Sequence, residues 1–196
     1  MYVTSSIHQH LTVVTGDPQW TDYQLDVDVY NDRSRIRLQP PQWWNYLKFG
    51  VYGRFLAPHF PQTRGEHSFA AVEIGDYANE GHTISDHAVQ IRLKYPELPI
   101  VNRDNSRWLR TTKILDYAAW EVPQAEKIHV TARFFGRQLE GWINGRRVLR
   151  GTIPADHPGA ERGRIALWTF ETWADFDNIK VTRLVRRGGA REPLRR

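Results

Sequence analysis

Ile128-His129-Val130-Thr131-Ala132-Arg133-Phe134, followed by Leu139-Glu140-Gly141-Trp142-Ile143-Asn144-Gly145-Arg146-Arg147-Val148-Leu149, carries the plainest structural signal in this chain. Ile128, Val130, Ala132 and Phe134 alternate with His129, Thr131 and Arg133. A period of two puts one set of side chains on each face of a strand, so the segment reads as a strand with one dry and one wet side. Asn144-Gly145 then joins Leu139–Ile143 to Arg147–Leu149. That pair tolerates positive φ at both central positions, so it favours the type I′ turn of a tight hairpin.

The same alternation recurs on both sides of this hairpin. Tyr23, Leu25, Val27 and Val29 alternate with Gln24, Asp26 and Asp28. Ile36 and Leu38 alternate with Arg35 and Arg37, and Leu47, Phe49 and Val51 with Tyr46, Lys48 and Tyr52. Val89, Ile91 and Leu93 alternate with Gln90, Arg92 and Lys94. Further strands are expected at Arg164–Phe170 and Phe176–Leu184. Pro154, Pro158, Gly159 and Gly163 make 151–163 a loop, and Pro96, Pro99 and Pro123 make 95–127 a long excursion with one strand near Trp108–Leu115. Helical periodicity is nearly absent and no repeat is visible. The expectation is an all-β fold, an antiparallel two-sheet jelly-roll sandwich forming one domain over 1–185, with a basic tail over 186–196. Its expected interior holds Ile36, Leu38, Leu47, Phe49, Val51, Ile91, Leu93, Val130, Ile165, Leu167, Ile179 and Val181.

Composition narrows the chemistry. The 196 residues include no Cys, which excludes a disulfide framework, a thiolate metal site and a cysteine nucleophile. Hydrophobic residues at 40% and charged residues at 25% are a normal globular mix, and no apolar run reaches the roughly 18 residues of a membrane span. Met1-Tyr2-Val3-Thr4 has neither a basic nor an apolar leader region, so the expectation is a cytoplasmic chain or one whose leader is not part of this sequence. The net charge is +5, with 22 Arg against 5 Lys. Arg grips planar carboxylates better than Lys does. Basic chains also bind nucleic acid, but no helix-turn-helix, zinc-finger or aromatic RNA-binding pattern is present, so no specific nucleic-acid partner is expected.

The segments Ile128–Arg133, Leu139–Gly145, Gly163-Arg164-Ile165-Ala166-Leu167-Trp168-Thr169 and Asp175-Phe176-Asp177-Asn178-Ile179-Lys180-Val181 together resemble the concanavalin A-like, laminin G-like jelly rolls. Trp20-Thr21-Asp22-Tyr23-Gln24-Leu25-Asp26-Val27 is similar to their opening strand. The resemblance implies a closing strand that returns beside the N-terminal one and a sheet whose concave face binds ligand. The superfamily includes lectins, adhesion modules, glucanases and polysaccharide lyases, so a glycan partner is implied but not an activity. Such folds often hold one structural calcium, and Asp177 stands at the matching position; no other cofactor is implied. A narrower motif, Tyr46-Leu47-Lys48-Phe49-Gly50-Val51-Tyr52, resembles the Tyr-x-Lys-x-Gly-x-Tyr strand of jelly-roll alginate lyases. It implies Tyr52 as proton donor, with Lys48 and Arg54 neutralising a uronate carboxylate. Gln90-Ile91 matches the family's Gln-Ile pair, but Arg92 replaces the following His, and the two motifs stand in the opposite order along the chain.

The candidate ligand surface follows from parity. Arg35, Arg37, Lys48, Tyr52, Arg54, Arg92 and Lys94 fall on the polar faces of their strands, a lining that would attract an anionic polymer. Solvated outer faces, with Arg stems covering apolar surface, are the plain alternative. Trp43 and Trp44 after Pro40-Pro41 make a candidate sugar-stacking platform. Retaining glycosidases need two carboxyls about 5–5.5 Å apart; Glu66 and Glu73 are seven positions apart with opposite parity, which counts against that chemistry. The reading is carbohydrate recognition, of an extended and acidic glycan. A lyase or hydrolase in the same groove and a structural assembly module are the alternatives.

Overall fold

The computed structural model describes residues 2–4, 10–31, 48–56, 67–76, 87–96, 112–121, 125–170 and 173–185. Among them there is no helix. Twelve strands make two six-stranded antiparallel sheets. Sheet A has the order β1 (Tyr2–Thr4), β12 (Trp173–Arg183), β3 (Tyr23–Asn31), β8 (Glu126–Phe135), β9 (Gln138–Ile143), β10 (Arg146–Thr152). Sheet B has the order β2 (His10–Thr15), β11 (Arg164–Phe170), β4 (Lys48–Leu56), β5 (Ser68–Asp76), β6 (His87–Lys94), β7 (Thr112–Ala119). The first and last strands lie side by side, with Val3 opposite Ala174. The two sheets form a jelly-roll sandwich, in agreement with the alternation and the resemblance.

Period two explains the core. Along β3 buried and half-buried residues alternate without a break. Leu25, Val27, Val29, Ile128, Val130 and Phe134 of sheet A face Phe49, Val51, Val72, Ile91, Leu93, Ile165 and Leu167 of sheet B in one cluster. Each such fully buried side chain contributes roughly 1.5–3 kcal/mol. The β9–β10 turn is at Asn144-Gly145, with φ of 49° and 78°, the left-handed pair that a type I′ turn requires.

Three expectations need correction. The chain between Arg54 and Val89, for which the alternation gives no strand, contains a full one, β5. The strand expected near Trp108–Leu115 is β7, Thr112–Ala119. Ile179, expected inside, is 39% exposed. A bulge between Asp177 and Lys180, with Asn178 at φ 51°, shifts the register against β3 and turns Ile179 outward. Val181 packs against the core as a half-buried residue. Ile36, Leu38 and Leu47 lie outside the described residues.

The 153–163 loop is held to sheet B by His157. Its Nε2 bonds the Lys94 carbonyl at 2.9 Å, and its Nδ1 accepts the Gly159 N–H at 3.1 Å. Accepting at Nδ1 and donating at Nε2 is the neutral tautomer. Burial lowers the pKa of His157, against a smaller opposing effect of the Lys94 carbonyl bond. Below the ordinary histidine value of about 6.5, the unfolded chain takes up a proton that the folded chain resists. Stability is therefore expected to be full above that value and to fall as the pH drops below it, in urea unfolding curves. His157→Gln, which keeps a donor for Lys94, should flatten this fall between pH 7 and 5. An unchanged slope would remove His157 as its source. Asp28, held down to about 2 chiefly by its His129 hydrogen bond, titrates well below this window and does not confuse the result.

Candidate functional site

The outer face of sheet B, turned away from the sandwich interior, carries the least ordinary chemistry among the described residues. Across it, Trp168, Gly50, Glu73, Gln90 and Tyr117 stand opposite one another on β11, β4, β5, β6 and β7. The next row is Ala166, Tyr52, Ala71, Arg92 and Ile114. Glu73 is the hub. Tyr52 donates its hydroxyl to Glu73 Oε1 at 3.0 Å, and Gln90 Nε2 donates to Oε2 at 3.2 Å. Arg92 Nη1 lies 3.4 Å from the same Oε2 and completes an ion pair.

All four residues are buried, with Glu73 1% and Gln90 0% exposed. Lys48 and Lys94 on the same face are buried as well. A buried carboxylate costs several kcal/mol unless it is paired and hydrogen-bonded. Here a phenol, an amide and a guanidinium supply those bonds. Small neighbours make room for them. Gly50 is opposite Glu73, and a Cβ there would come within 3.2 Å of Glu73 Cγ and 3.0 Å of the Val72 carbonyl oxygen. Ala71, between Tyr52 and Arg92, leaves both free to lean toward the carboxylate.

Rings flank the polar group. Tyr52 stacks on Phe69 at 4.1 Å and on Trp168 at 5.5 Å, and Phe69 continues through His67 to Phe55. Tyr52, Phe55, Phe69, Ala71, Ala166 and Trp168 form an apolar cluster separate from the sandwich core. The face therefore pairs one aromatic stack with one buried acid.

The residues named from sequence fall as follows. Lys48, Tyr52, Arg92 and Lys94 share the outer face of sheet B, as their parity required. They are buried there rather than solvated. Arg35, Arg37, Trp43 and Trp44 lie outside the described residues. Arg54 does not join the group. It sits in a bulge between Gly53 and Leu56 with φ 53°, which breaks the alternation that placed it beside Tyr52. Its guanidinium donates to the Gly136 carbonyl at 2.9 Å and lies 5.6 and 5.8 Å from the Tyr23 and Phe134 ring centres. Arg54 is a packing residue, held 3.8 Å from the Asp22 carboxylate. Glu73 is what sequence reasoning passes over. It enters there only as half of a carboxylate pair, because Phe69-Ala70-Ala71-Val72-Glu73-Ile74 is apolar on both faces and shows no alternation. One charge inside such a run is the available signal.

The implied calcium position fares differently. Asp177 is exposed and faces Lys127, with Nζ 3.9 Å from its Oδ2. Asp28 nearby is occupied by His129 at 2.7 Å, Asn178 at 2.7 Å and Lys127 at 3.2 Å. Among the described residues no group of three or more His, Asp or Glu is placed to hold a metal. An ammonium stands where a calcium cage needs further oxygens, so Asp177 and its described neighbours do not fit that ion.

No protein-family model and no curated protein matches this chain. Solved structures do. A carbohydrate-binding module, CBM66 from Bacillus subtilis, is 10% identical with a TM-score of 0.58, over 92% of this chain and 90% of that one. The exoplasmic/lumenal domain of VIP36, in a Ca2+/Man3GlcNAc-bound form, is 11% identical with a TM-score of 0.63, over 96% and 80%. The alginate lyase AlyC3 is 12% identical with a TM-score of 0.57, over 90% and 72%. At such identities the likeness is one of fold, an antiparallel two-sheet jelly roll.

Proposed function

We propose that this chain recognises carbohydrate on the outer face of sheet B, along an extended glycan. The observation that carries the reading is the buried Tyr52–Glu73–Gln90–Arg92 network beside the Phe69–Tyr52–Trp168 stack. A sheet face outside the core gains nothing in stability from a buried acid that an apolar residue would not supply. Sugars, in contrast, are bound by a few convergent polar groups beside aromatic rings, and this face has both. A carbohydrate-binding module and a glycan-bound lumenal domain with the same fold support the reading by analogy. Arg35, Arg37, Trp43, Trp44, Lys48 and Lys94 are proposed as further ligand-binding residues.

A glycan array of neutral and uronate-containing polymers tests this. Retention of one class, lost in Glu73→Ala, is the expected outcome. A folded protein that retains no glycan would instead favour a module that assembles with other proteins.

A second reading, catalysis, is favoured by one bond: a phenol donating to a carboxylate is an acid/base pair. In a lyase Glu73 would take the proton beside the uronate carboxyl, Tyr52 would protonate the leaving oxygen as the C–O bond breaks and the C=C bond forms, and Arg92 with Lys48 would offset the uronate charge, since Arg54 is held elsewhere. Tyr52→Phe should then remove at least about a hundredfold of rate while leaving binding nearly intact. The readout is absorbance in the unsaturated-uronate band on alginate and glucuronan. No rise with the parent protein would leave a binding module.

A further inference from the structure

The strongest excess of charge among the described residues lies on the other sheet. Residues 126–152, which make β8, β9 and β10, carry six Arg and Lys against Glu126 and Glu140. Four of the chain's five net positive charges therefore stand on three adjacent strands. On the outer face of sheet A, Thr131, Trp142 and Arg147 stand opposite one another, and Arg133, Glu140 and Arg150 form the next row. Glu140 is already paired: Arg147 Nη1 donates to Oε1 at 3.0 Å, and Arg133 Nη1 lies 4.0 Å from Oε2. One bond to Glu140 leaves most of the Arg147 donors unused, and the Arg147 side chain is 51% exposed. Arg146 and Arg150 are exposed as well, and neither guanidinium has an ion pair or hydrogen bond among the described residues. Trp142 is half-buried opposite Arg147 with its Nε1 covered, so a ligand meets ring carbon there. Like charges gathered on one face repel one another and cost the free protein stability, so such a cluster suits an anionic partner.

We infer that the outer face of sheet A, across β8–β10, is a docking surface for an acidic polysaccharide, whose carboxylates or sulfates bond Arg146, Arg147 and Arg150 and whose ring carbons pack on Trp142. This surface is separate from the one on sheet B and does not rest on that reading. The planar fork of Arg fits such oxyanions in pairs of bonds. Two strand spacings, about 10 Å, separate β8 from β10, so Arg133 and Arg150 stand on either side of Glu140. A single small anion reaches one of them, whereas an extended chain reaches both. Nucleic acid would use exposed aromatics for its bases, and the one exposed large aromatic among the described residues, Tyr117, is on sheet B. A membrane would need exposed apolar side chains to insert, and none of the exposed large hydrophobics is on β8–β10. A pyranose ring, in contrast, has an apolar face for Trp142. Asp26 and Asp28 on β3 bound the surface, since both carboxylates face outward beside β8.

Surface plasmon resonance of the full chain against alginate, dextran sulfate, neutral dextran, duplex DNA and phosphatidylserine vesicles tests this. The expected result is binding of alginate and dextran sulfate, weakening as salt shortens the Debye length, and none of neutral dextran by this face. The double variant Arg146→Gln/Arg150→Gln changes two exposed side chains and should weaken that binding by roughly tenfold or more, since charge-assisted bonds are lost. Glu73→Ala should leave it unchanged. Acidic-glycan affinity that is unchanged in the double variant, or lost in Glu73→Ala instead, would overturn the inference. Tighter binding of DNA or of vesicles than of either polysaccharide, lost in the same double variant, would also overturn it by assigning the surface to another partner. Binding of no polyanion at all would do the same. The reading of sheet B is independent of these outcomes, because its own variant is Glu73→Ala.

Discussion

Gly53→Ala is expected to destabilise the protein by about 3 kcal/mol, the upper end for a methyl forced into a packed core. Gly53 lies where β4 crosses beneath β8. A Cβ there would stand 2.3 Å from Phe134 Cζ and 2.6 Å from the Tyr23 hydroxyl. Neither ring has an easy way out. Tyr23 and Phe134 pack against each other at 5.0 Å, and Arg54 lies over both. The Tyr23 hydroxyl also accepts the Arg54 N–H at 2.8 Å, so moving it breaks a buried bond. Burial raises the Tyr23 pKa to about 12 against the lowering effect of Arg54, a sign of how dry this corner is. For a chain of this size the loss corresponds to roughly 6–12 °C in Tm. Thermal melts monitored by near-ultraviolet dichroism read it directly. Adding Phe134→Leu should recover part of the loss, and additive effects of the two changes would mean the clash lies elsewhere.

Arg54→Met should cost about 3 kcal/mol, the lower end for breaking a buried ion pair, because Asp22 keeps some solvent. The thioether replaces the aliphatic stem but none of the donors. The Gly136 carbonyl loses a bond of 2.9 Å, the Trp20 carbonyl one of 3.4 Å, and Asp22 its cation at 3.8 Å. Asp22 would keep only its acceptance of the Gly136 N–H at 2.6 Å among these contacts. Urea unfolding gives the magnitude. Glycan affinity is the second readout, and it should be unchanged, since Arg54 stands away from the Glu73 network. A loss of affinity at full stability would return Arg54 to the ligand surface and refute its packing role.

Much of the architecture is legible in the order of residues alone. Alternation in Tyr23–Val29 and Ile128–Phe134, and Asn144-Gly145 between two short runs, specify strands, faces and one turn from local chemistry. The same alternation puts Lys48, Tyr52, Arg92 and Lys94 on one face, because parity is a property of the chain and needs no partner. It fails wherever the backbone inserts a residue. Arg54 and Ile179 lie within such bulges, so Arg54 leaves the site and Ile179 leaves the core. It is also silent in β5, where both faces are dry and no contrast survives. The sequence by itself determined a jelly roll with a basic, aromatic-bearing sheet. Only the tertiary structure decided that Glu73 is its centre. Tyr52, Gln90 and Arg92 lie 21, 17 and 19 positions from it and meet it only through cross-strand register, which no local pattern encodes.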